Sequence, residues 1–103
     1  MATLNPHKRG DTFKIVNCQL LDENNDPRDL TDISIRSQLR NVRDQVIVEF
    51  QVVKNQFAYD LIAPSTEEWP IGMAYMDVEY TESNGTVFST ETIEMQIVRD
   101  ITR

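Results

Sequence analysis

The residues best suited to chemistry in this sequence are one cysteine, Cys18, and one histidine, His7. A nucleophilic cysteine needs a base beside it, and metal sites built on these residue types need several of them close together. One of each, eleven residues apart, matches neither pattern. Cys18 falls in a strand-like segment, 12–21, where a small buried thiol is the usual role of such a residue. We therefore predict no catalytic residues, no metal site of this kind and no enzymatic activity.

A dense acidic turn offers the second candidate for chemistry. Asp22-Glu23-Asn24-Asn25-Asp26-Pro27 places three carboxylates within one short segment. Oxygen ligands spaced by turns suit calcium, although the segment lacks the full EF-hand pattern. Acidic residues are also typical of turns because their side chains bind nearby backbone amides. Both interpretations stand, and the ordinary turn is the one we favour.

Composition excludes several further functions. The chain has 3 glycines and carries neither a glycine-rich phosphate loop nor a Gly-x-Ser-x-Gly elbow, so no cofactor is expected. Its 10 basic and 17 acidic residues give a net charge of −7, which argues against a nucleic-acid partner. That charge is typical of a solvated surface, and it is also compatible with a basic partner. No apolar run approaches the ~20 residues of a membrane span, so we expect no membrane partner.

Period-two alternation is the pattern that organises the chain. Apolar and polar residues alternate along segments 33–40, 46–53, 56–62 and 73–80, and again between Thr86 and Val98. Successive side chains of a strand point to opposite faces, so each segment has one apolar and one wet face. The alternation changes parity near Glu91, which predicts a bulge or two short strands there. Such faces must pack together, so the sequence predicts an all-β sandwich or barrel.

The polar N-terminal stretch differs from the rest. Residues 1–11 contain Pro6, Gly10 and a basic patch of His7, Lys8 and Arg9, and they lack the apolar centre of a signal peptide. We predict an extended arm over 1–11, followed by a single β-sandwich domain over 12–103. Within that domain, Lys54-Asn55 and Ser83-Asn84-Gly85 are predicted hairpin turns, the second having the stronger signal.

Trp69 is the residue that we expect to matter most for structure. Ser65 and Glu68 have capping-box spacing between Pro64 and Pro70, which predicts one short helical turn near residues 65–69. Gly72 then lets the chain bend back into a strand. The indole of Trp69 would cover the open end of the sandwich. The alternative is an exposed tryptophan that stacks on a ligand.

Charged side chains are expected on the outer faces of two strands. Asp77 and Glu79 share one outward face, and Arg36 and Arg40 share another, so the two sets would pair if their strands were neighbours. The aromatic residues Phe50, Phe57, Tyr59 and Tyr80 are assigned to inward faces. An aromatic platform for nucleic acid is therefore not expected.

Four segments together resemble a group of small phage and prophage proteins with immunoglobulin-like folds. They are Arg9-Gly10-Asp11-Thr12-Phe13, Pro27-Arg28-Asp29-Leu30-Thr31, Thr66-Glu67-Glu68-Trp69-Pro70-Ile71-Gly72 and Asp100-Ile101-Thr102. The chain is also similar to the N-terminal domain of phage upper baseplate proteins. Asp32 departs from this pattern, which has a glycine there. The resemblance implies an immunoglobulin-like antiparallel β-sandwich of about seven strands.

The resemblance also implies a function. It indicates a non-enzymatic virion or assembly module: an adaptor, a decoration protein or a tail or fibre attachment protein. Its partners would be other virion or assembly proteins, including copies of itself, and it would be made in the host cytoplasm and incorporated in the virion. His7, Lys8 and Arg9 of the arm would dock on a neighbour, while Trp69, Pro70 and Gly72 would serve the fold. Two alternatives remain: an intracellular acidic effector that inhibits a host protein, and a sandwich hydrolase or carbohydrate-binding module.

Overall fold

The computed structural model describes residues 2–99, and the Asp100-Ile101-Thr102 segment of the resemblance lies outside them. These residues form an all-β structure without a helix. Its ten strands are β1 (Ala2–Thr3), β2 (His7–Lys8), β3 (Phe13–Cys18), β4 (Ser34–Asn41), β5 (Val46–Glu49), β6 (Gln51–Lys54), β7 (Tyr59–Ala63), β8 (Gly72–Thr81), β9 (Val87–Ser89) and β10 (Ile93–Val98).

The strands form two sheets that enclose one core. The larger sheet has the order β1-β10-β8-β4-β5, with β2 also paired to β10 and β9 to β8, and the smaller has the order β3-β7-β6. Most neighbours are antiparallel, but β1 and β2 both run parallel to β10. The predicted all-β sandwich is confirmed. Its details differ from the prediction of about seven antiparallel strands, because residues 2–99 contain ten strands and two of the pairings are parallel.

The central strand β8 confirms the predicted alternation of inward apolar and outward polar residues. Ala74, Met76, Val78 and Tyr80 are all buried, as predicted. On the neighbouring strand, Leu39 lies opposite Met76 and is also buried. Burial of such side chains contributes roughly 25 cal/mol for each Å² removed from water, and this is the main energy that holds the sheets together.

The predicted strand 46–53 is wrong as a single element. The chain leaves the larger sheet after β5 and enters the smaller one as β6, with Phe50 at the change. Phe50 is buried, and its backbone N–H donates to the carbonyl of Ser37 at 2.9 Å. Strands that switch sheets through a bend keep their side-chain alternation, so the sequence pattern does not reveal the change.

The predicted helical turn near 65–69 is also wrong. The segment forms a β-turn, in which the N–H of Trp69 donates to the carbonyl of Thr66 at 3.1 Å. The Thr66 hydroxyl accepts from the N–H of Gly10 and donates to the carbonyl of Asp11, both at 2.7 Å. These long-range hydrogen bonds hold the segment in place of a local helix cap.

The connection between β6 and β7 differs from the predicted two-residue hairpin. It spans residues 55–58, because the Asn55 carboxamide oxygen accepts the N–H groups of Phe57 and Ala58. Strand β7 accordingly begins at Tyr59 instead of Gln56. Phe57 is 47% exposed, which corrects its assignment to the inward face.

The last hairpin and the parity change are confirmed. Strands β8 and β9 meet at the predicted turn, where Gly85 has a φ of +91° and the N–H of Glu82 donates to the carbonyl of Thr86. Gly85 alone of the Asn84-Gly85 pair has a positive φ, so the turn is not of the type with two such residues. The predicted break near Glu91 separates β9 from β10.

Candidate functional site

The segment predicted as an arm follows the edge of its own larger sheet. Ala2 pairs with Ile93 and His7 with Ile97, and the N–H of Arg9 donates to the carbonyl of Val98 at 2.9 Å. The Lys8 side chain is exposed. Within the basic patch, the His7 ring packs against the core residues Phe13 and Trp69.

His7 belongs to an aromatic group that we call the tryptophan cluster, formed by His7, Phe13, Phe50 and Trp69. The Trp69 ring centroid lies 5.4 Å from that of His7 and 5.6 Å from that of Phe13, which in turn lies 5.3 Å from Phe50. Trp69 is 3% exposed, so it is a core residue without a face open to a ligand. The His7 Nε2 also lies 2.9 Å from the carbonyl of Asp11.

Pro70 and Gly72 take different positions next to this cluster. Pro70 is exposed, and Gly72 begins β8 with a φ of +130°. There is open space where a Gly72 side chain would project. The backbone conformation, and not crowding, is therefore what favours glycine at this position.

A second aromatic group, the tyrosine cluster, lies toward the other ends of β7 and β8 and consists of Tyr59, Tyr80 and Phe88. The hydroxyls of Tyr59 and Tyr80 are 2.6 Å apart, and the rings of Tyr80 and Phe88 stack at 5.3 Å. Burial raises the pKa of both tyrosines above the ordinary value. The two tyrosines therefore share a hydrogen bond between neutral hydroxyls within the core.

Cys18 lies near the tyrosine cluster and is partly buried, not fully buried as expected. Desolvation, and secondarily the Asp60 carboxylate, raises the pKa of its thiol. A raised pKa disfavours the thiolate, which is the nucleophilic form of cysteine. Burial and the neighbouring carboxylate therefore both oppose activation of Cys18 as a nucleophile.

In the acidic turn, the first carboxylate, Asp22, hydrogen-bonds to backbone amides of the same turn. One oxygen of Asp22 accepts the N–H groups of Asn24 at 2.8 Å and Asp26 at 3.0 Å. Among residues 2–99, no group of three or more His, Cys, Asp or Glu side chains is arranged to hold a metal ion. The Asp22 hydrogen bonds are those by which an acidic side chain stabilises its own turn.

A groove of about 530 Å³, which the sequence pattern did not predict, lies on the outer face of the larger sheet. Strands β4 and β8 form its floor, and the β4–β5 turn and Thr92 line its margins. The floor side chains include Arg36, Gln38, Arg40, Tyr75, Asp77 and Glu79. Tyr75 lies on the same face of β8 as Asp77 and Glu79, because residues two apart in a strand point the same way. This alternation could have identified Tyr75 as an outward aromatic residue from the sequence.

A network of hydrogen bonds fixes one side of this groove. The Glu49 carboxylate accepts from Arg36 at 2.9 and 3.0 Å and from the Gln38 amide at 2.9 Å. The Gln38 carbonyl oxygen accepts from Arg40 at 2.9 Å, and Arg40 also donates to the backbone carbonyl of Asp44 at 2.7 Å. Hydrogen bonds from Gln38 and Arg36 lower the pKa of Glu49, and the Glu49 carboxylate raises the pKa of Arg36.

The expected pairing of outward charges is therefore only partly realised. Strands β4 and β8 are neighbours, and Arg36 lies opposite Glu79 in the register. However, Arg36 forms its ion pair with Glu49, and Arg40 forms its own with Asp44 at 3.5 Å. Within residues 2–99, the Asp77 carboxylate and the Tyr75 hydroxyl have no hydrogen-bond partner.

The groove lining combines carboxylates, guanidinium groups, amides and one tyrosine hydroxyl, all of which can contact a polar or charged ligand. No protein-family model and no curated protein matches the chain. Within residues 2–99, no helix has the length and apolar character needed to cross a membrane.

Proposed function

We propose that this protein is a non-enzymatic structural or assembly module of a phage virion, acting through protein–protein contacts. The observation that carries the proposal is the outer face of the larger sheet. Its groove is held in shape by the network from Arg36 through Glu49 and Gln38 to Arg40. Side chains that are ordered before binding lose less entropy when a partner docks, so this face is preorganised for contact.

The strand pairing supports the immunoglobulin-like part of the proposal. An immunoglobulin-like sandwich places its second, fifth and fourth strands in one sheet and its third, sixth and seventh in the other. Strands β3, β7 and β6 in one sheet, with β4, β8 and β10 in the other, fit that scheme when β3 is taken as the second strand and the short strands β5 and β9 are left out of the count. Domains of this kind commonly present sheet faces, edges and loops to other proteins.

The phage assignment rests on the resemblance, and the first and third of its four segments are in contact with each other. Gly10 and Asp11 of the first segment hydrogen-bond to Thr66 of the third, and Phe13 packs against Trp69. In the second segment, Asp29 accepts from the N–H and hydroxyl of Thr31. These contacts give the residues of the first and third segments a role in holding the fold, which supports the proposal of a structural module.

The partners proposed are other virion or assembly proteins, including copies of this chain, which is made in the host cytoplasm and carried into the particle. The net charge of −7 opposes binding to nucleic acid. Exposed apolar side chains on strands β5 and β6, Val46 and Val53, add contact area at the sheet edges.

Quantitative mass spectrometry of purified virions tests the proposal. We expect peptides of this chain to co-purify with the major capsid protein at constant stoichiometry through a density gradient. A non-structural phage protein from the same lysate serves as the control, because it must be lost during purification. Absence of the chain from particles, with recovery in complex with a host protein, would overturn the virion proposal and favour the intracellular effector.

A further inference from the structure

We infer that the groove on the larger sheet binds a basic segment of a partner protein by accepting a lysine or arginine side chain between Tyr75 and Asp77. The inference rests on the proposed function, since it names the chemistry of the contact that such a module makes. It follows from which groups in the groove are already engaged and which are available.

The positive charges of the groove are engaged within the protein. Arg36 is bound by Glu49 through two nitrogen atoms, and Arg40 is bound by Asp44 and Gln38. An anionic ligand would have to compete for these guanidinium groups. It would also approach the carboxylates of Asp77 and Glu79, which repel it.

The amides of the groove are engaged as well. The Gln38 amide donates to Glu49, and the Asn41 amide donates to Gln45 while its oxygen accepts from two backbone N–H groups. A saccharide is recognised through several free polar groups that both donate and accept. The occupied amides therefore make a neutral sugar a poor match for this lining.

The available groups suit a cation. The Asp77 carboxylate is exposed and has no partner within residues 2–99. Tyr75 lies two residues away on the same face of β8, about 7 Å along the strand, and is half-buried. An ammonium or guanidinium group can contact the tyrosine ring and the carboxylate together, combining a cation–π contact with a charge-assisted hydrogen bond. The net charge of −7 also attracts a basic segment toward the protein.

NMR titration of the whole chain tests this inference with four probes. These are the blocked tetrapeptides Gly-Arg-Arg-Gly, Gly-Lys-Lys-Gly and Gly-Glu-Glu-Gly, and the neutral sugar maltotetraose. We expect the two basic peptides to shift the amide signals of Tyr75, Asp77 and the facing Gln38, with weaker binding at high salt. Preferential binding of the acidic peptide or of the sugar in the groove would overturn the inference.

Matched variants separate the groove from general attraction to an acidic protein. Asp77→Asn should weaken binding of the arginine peptide by about tenfold, because a charge-assisted contact is lost. Asp32→Asn makes the same change in charge at an exposed residue outside the groove lining, and should leave affinity within about twofold. Equal effects of the two variants would show that binding is unspecific.

The aromatic contribution has its own pair of variants. Tyr75→Leu should weaken binding about threefold, whereas Tyr75→Phe, which keeps the ring, should bind nearly as tightly as the native chain. A loss with Phe as large as with Leu would contradict the cation–π contact. Retained binding by both would contradict it as well.

The inference can fail while the proposed function stands. If virions that carry Asp77→Asn contain the chain at native stoichiometry and the peptides do not bind, the module makes its contacts elsewhere. Absence of the native chain from virions would instead contradict the proposed function, whatever the peptides do.

Discussion

The two aromatic clusters stabilise opposite ends of the core through different interactions. The tryptophan cluster brings Trp69, Phe13 and Phe50 together with His7 from the N-terminal segment. The tyrosine cluster joins the two sheets through the hydroxyls of Tyr59 and Tyr80. Stability from the first should scale with buried apolar area, whereas stability from the second depends on satisfied polar groups and on pH. The comparison shows that both ends of one small sandwich need not be held alike.

The largest expected effect is in the tryptophan cluster. Trp69→Ala should lower the free energy of unfolding by about 3–5 kcal/mol, since it leaves a large cavity in a packed interior. Such a loss is a large share of the ~5–15 kcal/mol that a small domain possesses. Urea unfolding followed by circular dichroism measures it. Phe57→Ala, which truncates a half-exposed aromatic residue, is the control and should cost far less.

A small effect of Trp69→Ala would contradict this expectation. A melting temperature lowered by only a degree or two would show that Trp69 is a surface contact and that its end of the sandwich carries little of the stability.

In the tyrosine cluster, the two single substitutions should together cost more stability than the double substitution. Tyr80→Phe leaves the buried Tyr59 hydroxyl without its partner, so we expect a loss of about 1–3 kcal/mol. The double variant Tyr59→Phe, Tyr80→Phe should cost less than the sum of the single variants, because no hydroxyl then remains unsatisfied. A double-mutant cycle by urea unfolding gives this coupling. Strict additivity would mean that the hydroxyl pair contributes nothing specific.

Alkaline pH should reduce the stability that the tyrosine cluster contributes and leave the contribution of the tryptophan cluster unchanged. The folded-state pKa values of Tyr59 and Tyr80 are raised above the ordinary value of 10.0, first of all by burial. Below pH 10 both folded and unfolded states hold the phenol protons, so this contribution to stability is fully present. Above it the unfolded chain releases protons first, and stability falls as pH rises toward the folded-state values.

Tyrosinate absorbance recorded alongside circular dichroism checks this expectation. Two tyrosines should ionise only as the fold is lost, and the Tyr59→Phe, Tyr80→Phe variant should resist alkali better relative to its own stability at neutral pH. Early ionisation of all three tyrosines, with the fold intact, would contradict the buried pair.

The smallest effect concerns how the N-terminal segment is tied to the tryptophan cluster. His7→Ala removes the ring that contacts Trp69 and Phe13, and should cost about 0.5–1.5 kcal/mol. Hydrogen exchange at the amides of Leu4 and Arg9, which bond to β10, should accelerate as this edge opens. Lys8→Ala changes an exposed neighbour and should leave exchange unaltered. If His7→Ala also leaves it unaltered, backbone pairing alone holds the segment.

Much of the fold could be predicted where the pattern is local. The buried face of β8, the turn at Gly85 and the break near Glu91 all follow from side-chain parity and from residues that accept positive φ. The turn at Thr66 could not be predicted, because its hydroxyl bonds to Gly10, more than fifty residues away. Local capping signals carry no information about such a partner.

The groove was predictable only in part. Parity placed Asp77 and Arg36 on outward faces, and the strands that carry them are indeed neighbours. The choice of Glu49 as the partner of Arg36 depends on β5 lying beside β4, and on a chain that changes sheets at Phe50. Sequence alternation is the same on either side of that change, so it indicates faces without indicating neighbours.

The amino-acid order alone determined that this protein is built of strands with one wet and one apolar face, because alternation is a property of each strand by itself. It also limited histidine and cysteine to one residue each, too few for a metal site built from several of them. Tertiary structure decided which strands lie side by side, where the N-terminal segment runs, and that Tyr75 and Asp77 share a groove. Those outcomes depend on contacts between distant segments, whose energies exist only once the sheets have come together.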